Sequence, residues 1–252
     1  MSGAINHRKE LCMSQIDWME LHIQRWQSKK QLRYYYEQEI FSRIKSFIST
    51  GQTIVEVGSG PGFLQEHIPN IIFTDIDIGP TVNCCADASQ LPFKDASIDS
   101  YFGIDVLHHF NHPGQFFKSA VKSLKPGGKI VLIEPWAGPC GYLFYRFLHH
   151  EDCQKLQQPF GPAFTDAKSA MDGNAMISRQ CLIDEEARLS NYGLKTTTKV
   201  FFGSLSYLLT GGFQKWSAPL WLIRSLLAIE RVSPPSLMQL IGIRMMVVLQ
   251  KI

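Results

Sequence analysis

A carboxylate followed by three alternating glycines stands at residues 56–62, which read Glu-Val-Gly-Ser-Gly-Pro-Gly. The residues just before this loop, 53–57, are rich in β-branched side chains and predict a buried parallel strand. Glycines at this spacing let the chain turn sharply and let a ligand approach the backbone. In an open α/β sheet such a loop lies at the carboxyl edge of the strands, where ligands bind.

The spacing of the glycines separates several classes of ligand. A dinucleotide-binding G-x-G-x-x-G sequence requires a third glycine at position 63, which is Phe63. The phosphate-binding G-x-x-x-x-G-K-[ST] sequence is absent. Glu56 would repel a pyrophosphate, whereas it would tolerate or favour an ammonium group. The loop therefore indicates a ligand that carries an ammonium group and no phosphate, and S-adenosylmethionine is such a ligand.

Three further acidic residues stand at or near the ends of predicted strands. Asp75 ends the strand predicted at 71–75, and a carboxylate there can accept hydrogen bonds from both hydroxyls of a ribose. Asp77 is an alternative, because it lies two residues on and would share the same face of a continued strand. Asp87 ends a third predicted strand, where it could accept a hydrogen bond from an adenine amino group.

Four segments in this order resemble the class I S-adenosylmethionine-dependent methyltransferases, and most closely the small-molecule branch that includes the ubiquinone and menaquinone methylases. The segments are VEVGSGPG (55–62), DASQLPFKDASID (87–99), GIDVLHHF (103–110) and LKPGGKIVLIEPW (124–136). They span about a third of the chain. The resemblance implies a Rossmann-like α/β fold with a seven-stranded, mostly parallel sheet and an antiparallel last strand.

The resemblance also implies which residues would bind S-adenosylmethionine and its product, S-adenosylhomocysteine. Glu56 would lie near the ammonium group, and Asp75 would hold the ribose hydroxyls. The other implied contacts, to the methionyl group and the adenine, are Gly58, Ser59, Gly60, Ile76, Asp87, Ala88 and Gly103. Only nine residues separate Asp77 from Asp87, so the helix that the family usually has between strands two and three is missing or reduced to a turn. This departure leaves the choice between Asp75 and Asp77 open.

His108, His109 and Glu134 are the candidate catalytic residues. Methyl transfer from a sulfonium needs an aligned acceptor and the exclusion of water, and an O–H or N–H acceptor can also need a base. The histidine pair follows predicted strand four at the rim of the sheet, and imidazole accepts a proton near neutral pH. Glu134 ends predicted strand five. We predict His109 as the base or acceptor contact, with His108 and Glu134 as alternatives.

The chain is predicted to form a single methyltransferase domain over residues 1–252. Residues 1–50 would form an N-terminal helical lid, and residues 51–136 the cofactor-binding core. An acceptor-side insertion would occupy 137–180, and a hydrophobic insertion between the last two strands would occupy 203–242. We interpret this last segment as a satellite core, as a homodimer surface, or as a lid over a hydrophobic acceptor. As a lid, the segment could itself contact a membrane surface.

Several finer elements are also predicted. Short helices are expected at 61–67 and 219–231, and strands six and seven at 195–202 and 243–252. Cys84 and Cys85 lie in an apolar run and are expected to be buried thiols, because the six cysteines show no C-x-x-C spacing.

No metal site is predicted. The sequence His-His-Glu-Asp at 149–152 carries possible ligands, but four neighbours on a helix diverge by about 100° and cannot all face one ion.

Composition restricts the choice of partners and compartment. The formal net charge is +3, and the basic residues are scattered, so no nucleic-acid partner is expected. The polar N-terminus and the cysteine spacing favour the cytoplasm.

We therefore predict methyl transfer from S-adenosylmethionine to a small, hydrophobic or lipid-like acceptor. The alternative is a regulatory or inactive methyltransferase-like module that only binds the cofactor. A nicotinamide oxidoreductase is disfavoured by Phe63 and Glu56.

Overall fold

The computed structural model describes residues 18–162 and 172–252. Its N-terminal part is helical, as predicted, and buries an apolar face that includes Tyr36, Ile40 and Ile44. Residues 1–17 of the predicted N-terminal lid lie outside the described residues. The helical elements here are α1 (18–28), α2 (Lys30–Tyr35), a π-helical turn (Tyr36–Phe41) and α3 (Ser42–Lys45).

A seven-stranded sheet forms the centre of the fold. Its strands are β1 (Ile54–Val57), β2 (Ile71–Asp75), β3 (Cys84–Cys85), β4 (Ile98–Ile104), β5 (Leu124–Pro135), β6 (Leu194–Phe202) and β7 (Arg244–Lys251). They lie in the order β3-β2-β1-β4-β5-β7-β6. The pairs among β1 to β5 are parallel, whereas β7 is antiparallel to both of its neighbours. The predicted Rossmann-like fold with an antiparallel last strand is confirmed.

The two faces of the sheet bury separate apolar cores, because successive side chains of a strand point to opposite faces. Along β5, Ile130 and Leu132 lie in the core that includes residues of α4 (Pro113–Ser123). Val131 and Ile133 lie in the other core, which includes residues of the N-terminal helices. A strand covered on both faces needs an unbroken apolar run, which β5 has. Ligands therefore reach the sheet at the ends of its strands.

The segment after β1 differs from its prediction. Residues 61–67 form a series of turns rather than a helix. Gly62 has a φ of +70°, which is incompatible with a right-handed helix, and its N–H donates to the Ser59 carbonyl in a tight turn.

The edge of the sheet beyond β2 is also shorter than predicted. The third strand consists of two residues, Cys84 and Cys85, and residues 76–83 contain no helix, as the sequence predicts. Cys85 is exposed and Cys84 is half-buried, so the prediction of buried thiols is wrong. A two-residue edge strand has no further strand to cover it.

Helices and turns in the second half of the chain cover β5, β6 and β7. Gly193 adopts a φ of +72° and ends a run of helical turns just before β6. The predicted helix at 219–231 is confirmed as α8. The elements are α5 (Pro139–Phe147), α6 (Ala175–Arg179), a π-helical turn (Gln180–Asp184), a 3₁₀ helix (Glu186–Tyr192), α7 (Leu205–Leu208), α8 (Leu220–Val232) and α9 (Pro235–Ile241). Among the described residues, no helix has the length and apolar character that a membrane span requires.

One buried lysine joins the N-terminal helices to the hydrophobic insertion. The ammonium group of Lys29 donates to the carbonyls of Gly212, Gln214 and Trp216 at 2.6, 3.0 and 2.8 Å. Lys29 is 6% exposed, so these charge-assisted hydrogen bonds replace most of its hydration. The loop at 211–216 is therefore fixed against the end of α1.

Replacing this lysine tests the connection. Lys29→Met keeps most of the apolar stem but removes all three donors, leaving three carbonyls without their partner. We expect the free energy of unfolding to fall by at least about 1.5 kcal/mol in urea denaturation. Lys30→Met is the matched control, because Lys30 is exposed. Equal stability of the two variants would contradict a structural role for Lys29.

Candidate active site

A cavity of about 1430 Å³ opens at the carboxyl ends of β1, β2 and β4. Pockets for a single small molecule usually measure about 300–1,000 Å³. The cavity is therefore large enough for two ligands side by side. Its walls come from the glycine loop, the segments after β2 and β4, the end of α5, and the loop at 211–216.

The glycine loop forms one end of this cavity. Gly58, Gly60 and Gly62 all have positive φ, at +65°, +49° and +70°. A Cβ on Gly58 would lie 2.1 Å from Cγ2 of Val106, so the loop packs directly on the segment after β4. Glycine is required here both by the backbone conformation and by this contact.

Two buried polar atoms beside the loop have no hydrogen-bond partner among the described residues: Oε2 of Glu56 and Oγ of Ser59. Both residues line the cavity. Burial, together with the nearby Asp75, raises the pKa of Glu56 to about 8. Unpaired buried acceptors are costly, and a ligand with an ammonium group would satisfy the carboxylate. The residues at this end therefore fit the methionyl part of S-adenosylmethionine.

Asp75 and Asp77 both line the cavity, as a ribose-binding role requires. The carboxylate of Asp75 accepts hydrogen bonds from the Gly60 N–H at 2.7 Å and the Asp77 N–H at 3.1 Å. Oδ2 of Asp77 is buried without a partner among the described residues, and burial and Asp75 raise the pKa of Asp77. Asp75 thus supports the glycine loop, while Asp77 has the unused acceptor. Both candidates for the ribose remain.

The three residues expected around the adenine, Ile76, Asp87 and Ala88, all line the cavity. Ile76 lines the cavity and is 63% exposed, as a side chain that packs on a ligand ring would be. Asp87 and Ala88 also line it, and the carboxylate of Asp87 accepts from the Ser89 N–H at 2.8 Å. Gly103, which was expected to lie against the methionyl group, is not among the lining residues. A Cβ there would lie 2.7 Å from Val106, so this glycine makes room for packing.

Glu134 is fully buried and accepts four hydrogen bonds, which contradicts the predicted role as a base. Burial raises the pKa of this carboxyl, but the hydrogen bond from His108 and those from the backbone outweigh it and hold the pKa below its usual range. Glu134 is not among the lining residues of the cavity. Its donors are Nδ1 of His108 at 2.8 Å, the N–H groups of Val106 and Leu107 at 3.0 and 2.8 Å, and Oγ of Ser178 at 2.8 Å.

The two histidines lie at the cavity wall in different environments. His108 is 2% exposed and sits between two carboxylates, Glu134 on Nδ1 and Glu151 on Nε2 at 3.3 Å. Burial lowers its pKa, but hydrogen bonds to these two carboxylates raise it overall to about 10. His109 is more exposed, and Nδ1 donates to the Asp172 carbonyl at 3.0 Å. Burial and the neighbouring His108 lower its pKa to about 4, so its ring is neutral at pH 7.

Glu151 is a site residue that the sequence prediction missed. It lines the cavity, and its carboxylate lies within 4 Å of ring nitrogens of His108, His109, His149 and His150. Burial raises its pKa, but the surrounding histidines, His108 above all, lower it to about 2. The sequence showed the neighbouring residues 149–152 but not their proximity to His108 and His109.

An ion pair between a buried arginine and a half-buried aspartate was also missed. Arg244, at the start of β7, is 2% exposed, and its Nη2 lies 2.7 Å from each carboxylate oxygen of Asp105. Asp105 has a φ of +52°, an uncommon conformation for a residue with a side chain. The guanidinium also lies over the ring of Tyr207. The positive φ and the ion pair both depend on tertiary structure, so no local pattern could have predicted them.

Part of the sequence is similar to known methyltransferases. Residues 55–132 match a family model described as a methyltransferase domain. An uncharacterized methyltransferase of Mycobacterium tuberculosis (strain ATCC 25177 / H37Ra) is 28% identical over 113 residues, covering 36% of this chain and 42% of the relative. A tRNA (carboxymethyluridine(34)-5-O)-methyltransferase of Arabidopsis thaliana is 32% identical over 103 residues, covering 36% of this chain and 25% of that protein. The matches thus span less than half of the length of these curated relatives.

Solved structures share the fold across most of the chain. A SAM-dependent methyltransferase of Thermotoga maritima has a TM-score of 0.52 at 15% identity, covering 91% of this chain and 95% of that one. A SAM-dependent methyltransferase of Archaeoglobus fulgidus has a TM-score of 0.50 at 14% identity, covering 87% and 98%. Identities this low establish the fold alone. The matched methyltransferase domain supports an enzyme with S-adenosylmethionine as its cofactor.

Substitution of Gly58 tests the packing of the loop. Gly58→Ala adds a methyl group against Val106 to the strain of a positive φ. Gly51→Ala carries the φ strain alone, because no atom lies within 4 Å of the added Cβ. We expect Gly58→Ala to lower the free energy of unfolding by about 1–3 kcal/mol more than Gly51→Ala does, measured in urea. Equal losses would mean that Val106 moves aside freely.

Proposed function

We propose that this protein transfers a methyl group from S-adenosylmethionine to a small, largely apolar acceptor bound in the same cavity. The observation that carries the proposal is a cavity with two unlike ends. One end has the glycine loop and the unpaired acceptors of Glu56 and Ser59. The other has histidines and aromatic side chains, including Phe144 and Tyr145, which pack on His149. A cofactor and an acceptor would occupy one end each.

When bound, the cofactor supplies an activated methyl group on a sulfonium. The chain's own residues would bind the cofactor, orient the two ligands and exclude water. Glu56 would hold the ammonium group, and Asp75 or Asp77 the ribose hydroxyls. Ile76 would cover the adenine, while Asp87 and Ala88 would contact its edge. Loss of positive charge during transfer is favoured in a dry, low-dielectric site.

At the acceptor end, His109 is the residue placed to contact the reacting group. Its Nδ1–H is held by the Asp172 carbonyl, so Nε2 is the ring nitrogen with the available lone pair. A pKa of about 4 makes this nitrogen a weak base near neutral pH, so we assign His109 to positioning the acceptor. His108 holds the neighbouring wall, because Glu134 and Glu151 occupy both of its nitrogens.

The apolar character of the acceptor is inferred from the cavity wall and the surface beside it. Leu148 and Trp216 line the cavity and are 79% and 56% exposed. Exposed apolar side chains continue along α5, α8 and α9, for example Phe147, Trp221 and Leu240. Such surfaces suit a hydrophobic or lipid-like acceptor, and peripheral contact of residues 203–242 with a membrane would deliver it. A module that only binds the cofactor is not favoured.

Calorimetric titration with S-adenosylhomocysteine tests the proposal, with NADH as the comparison ligand. We expect micromolar affinity for the first and no binding of the second, because Phe63 stands where a dinucleotide-binding loop needs its third glycine. Asp75→Ala or Asp77→Ala should weaken binding by about 1–3 kcal/mol, whichever residue holds the ribose. Tight NADH binding, or failure to bind S-adenosylhomocysteine, would contradict the proposal. A methyl-transfer screen of phenols, quinones and lipids then identifies the acceptor.

The pKa of Glu56 gives a second test. In the ligand-free protein this carboxyl is mostly protonated at pH 7, because burial raises its pKa to about 8. An ammonium group beside it lowers that pKa, so binding releases a proton and the affinity rises with pH. We expect the affinity for S-adenosylhomocysteine to increase by up to tenfold per unit between pH 6 and 8. Glu56→Gln should abolish this slope, and the same slope in both proteins would assign it to another group.

A further inference from the structure

We propose that His108, His109 and Glu151 form a binding site for a divalent transition-metal ion at the acceptor end of the cavity. One ring nitrogen of each histidine and a carboxylate oxygen of Glu151 lie within 4.8 Å of one another. The Glu151 oxygens are 3.3 Å from Nε2 of His108 and 3.8 Å from Nε2 of His109. Ligands of a tetrahedral Zn²⁺ lie about 3.3 Å apart, so only small shifts would close the site.

Both histidines have the ring orientation that metal coordination requires. Nδ1 of His108 is held by the Glu134 carboxylate at 2.8 Å, and Nδ1 of His109 is held by the Asp172 carbonyl at 3.0 Å. Metal-binding histidines almost always donate their second N–H to a carboxylate or a backbone carbonyl in this way. Both Nε2 atoms lie beside Glu151, and an ion bound there would replace the proton that Nε2 of His108 shares with this carboxylate.

The carboxylate of Glu151 is itself fixed from outside the site. The chain around it pairs with the segment that follows residue 171, through the hydrogen bonds from Asp152 N–H to Gly173 and from Ala175 N–H to Asp152. A Cβ on Gly173 would lie 2.7 Å from His108 and 2.9 Å from the Glu151 carboxyl. The cluster is thus closely packed on this side, and the cavity lies on the other.

A second group of possible ligands shares Glu151 but fits less well. Nδ1 of His149 already accepts a hydrogen bond from the Glu151 N–H, at 3.4 Å. His150 is 68% exposed. The sequence-based prediction of no metal site treated 149–152 as helical neighbours, whereas α5 ends at Phe147. The proposed site takes only Glu151 from that segment.

The donor set indicates the ion and the type of acceptor. Two imidazole nitrogens and one carboxylate suit Zn²⁺, Fe²⁺ or Co²⁺ rather than Mg²⁺, which prefers oxygen ligands. Three protein ligands leave coordination positions open, and the cavity faces them. With the ion bound, His109 would position the acceptor through the ion rather than directly, and the acceptor would carry an oxygen or nitrogen ligand, such as a phenol or enol. This last step rests on the proposed methyl transfer, whereas the site itself does not.

Titration of the chelator-treated, full-length protein with Co²⁺ tests the site, because protein-bound Co²⁺ has visible absorption bands. We expect one Co²⁺ per chain, displaced by Zn²⁺ and not by Mg²⁺. Glu151→Gln and His109→Ala should each weaken Co²⁺ binding by more than tenfold. Glu66→Gln, at an exposed carboxylate outside the cluster, and His150→Ala should leave it unchanged. Thermal unfolding checks that every variant is folded. If Glu151→Gln does not fold, the result for His109→Ala alone decides whether the metal site exists.

The proposal is overturned if Co²⁺ does not bind, or if binding survives in His109→Ala or is lost in His150→Ala. The same samples are titrated with S-adenosylhomocysteine. Cofactor binding without Co²⁺ binding would remove the metal site and leave the proposed function standing. Co²⁺ binding without cofactor binding would contradict the proposed function and leave the metal site standing.

Discussion

The hydrogen bonds of the buried Glu134 carboxylate hold together the end of the cavity that carries the histidines. A carboxylate with no exposure to water is tolerated only when hydrogen bonds replace its hydration, and here four donors do so. Two of them are backbone N–H groups of the turn that carries the histidines. Glu134 lies next to the last residue of β5. Its carboxylate thus holds that turn against the strand, orients the ring of His108, and attaches α6 through Ser178.

The other end of the cavity is formed by the glycine loop, which side chains of the neighbouring segments hold in place. Asp75 connects the end of β2 to the glycine loop, and Val106 fills the space that Gly58 leaves empty. The loop therefore contacts the segments after both neighbouring strands. Val106 also donates its N–H to Glu134, so the two ends of the cavity share one residue.

The sequence predicted what local patterns determine and missed what tertiary structure determines. Apolar runs and the glycine spacing identified the sheet, the loop and α8. Glu134 was assigned to catalysis because a carboxylate at a strand end has the same sequence pattern whether it faces a ligand or backbone donors. The ion pair of Asp105 and Arg244 joins residues far apart in the chain, and Glu151 reaches the histidines only through the pairing around Gly173. Neither has a periodic signal.

The position of the hydrophobic insertion follows from the direction of β7. Because β7 is antiparallel to its neighbours, it begins at the edge where the parallel strands end, and Arg244 pairs with both Pro135 and Phe202 there. The chain between β6 and β7 therefore leaves and re-enters the sheet at the cavity. Residues added to this connection therefore lie over the cavity. The side chains of residues 203–242 that line the cavity, such as Tyr207 and Trp216, lie there as a consequence of this topology.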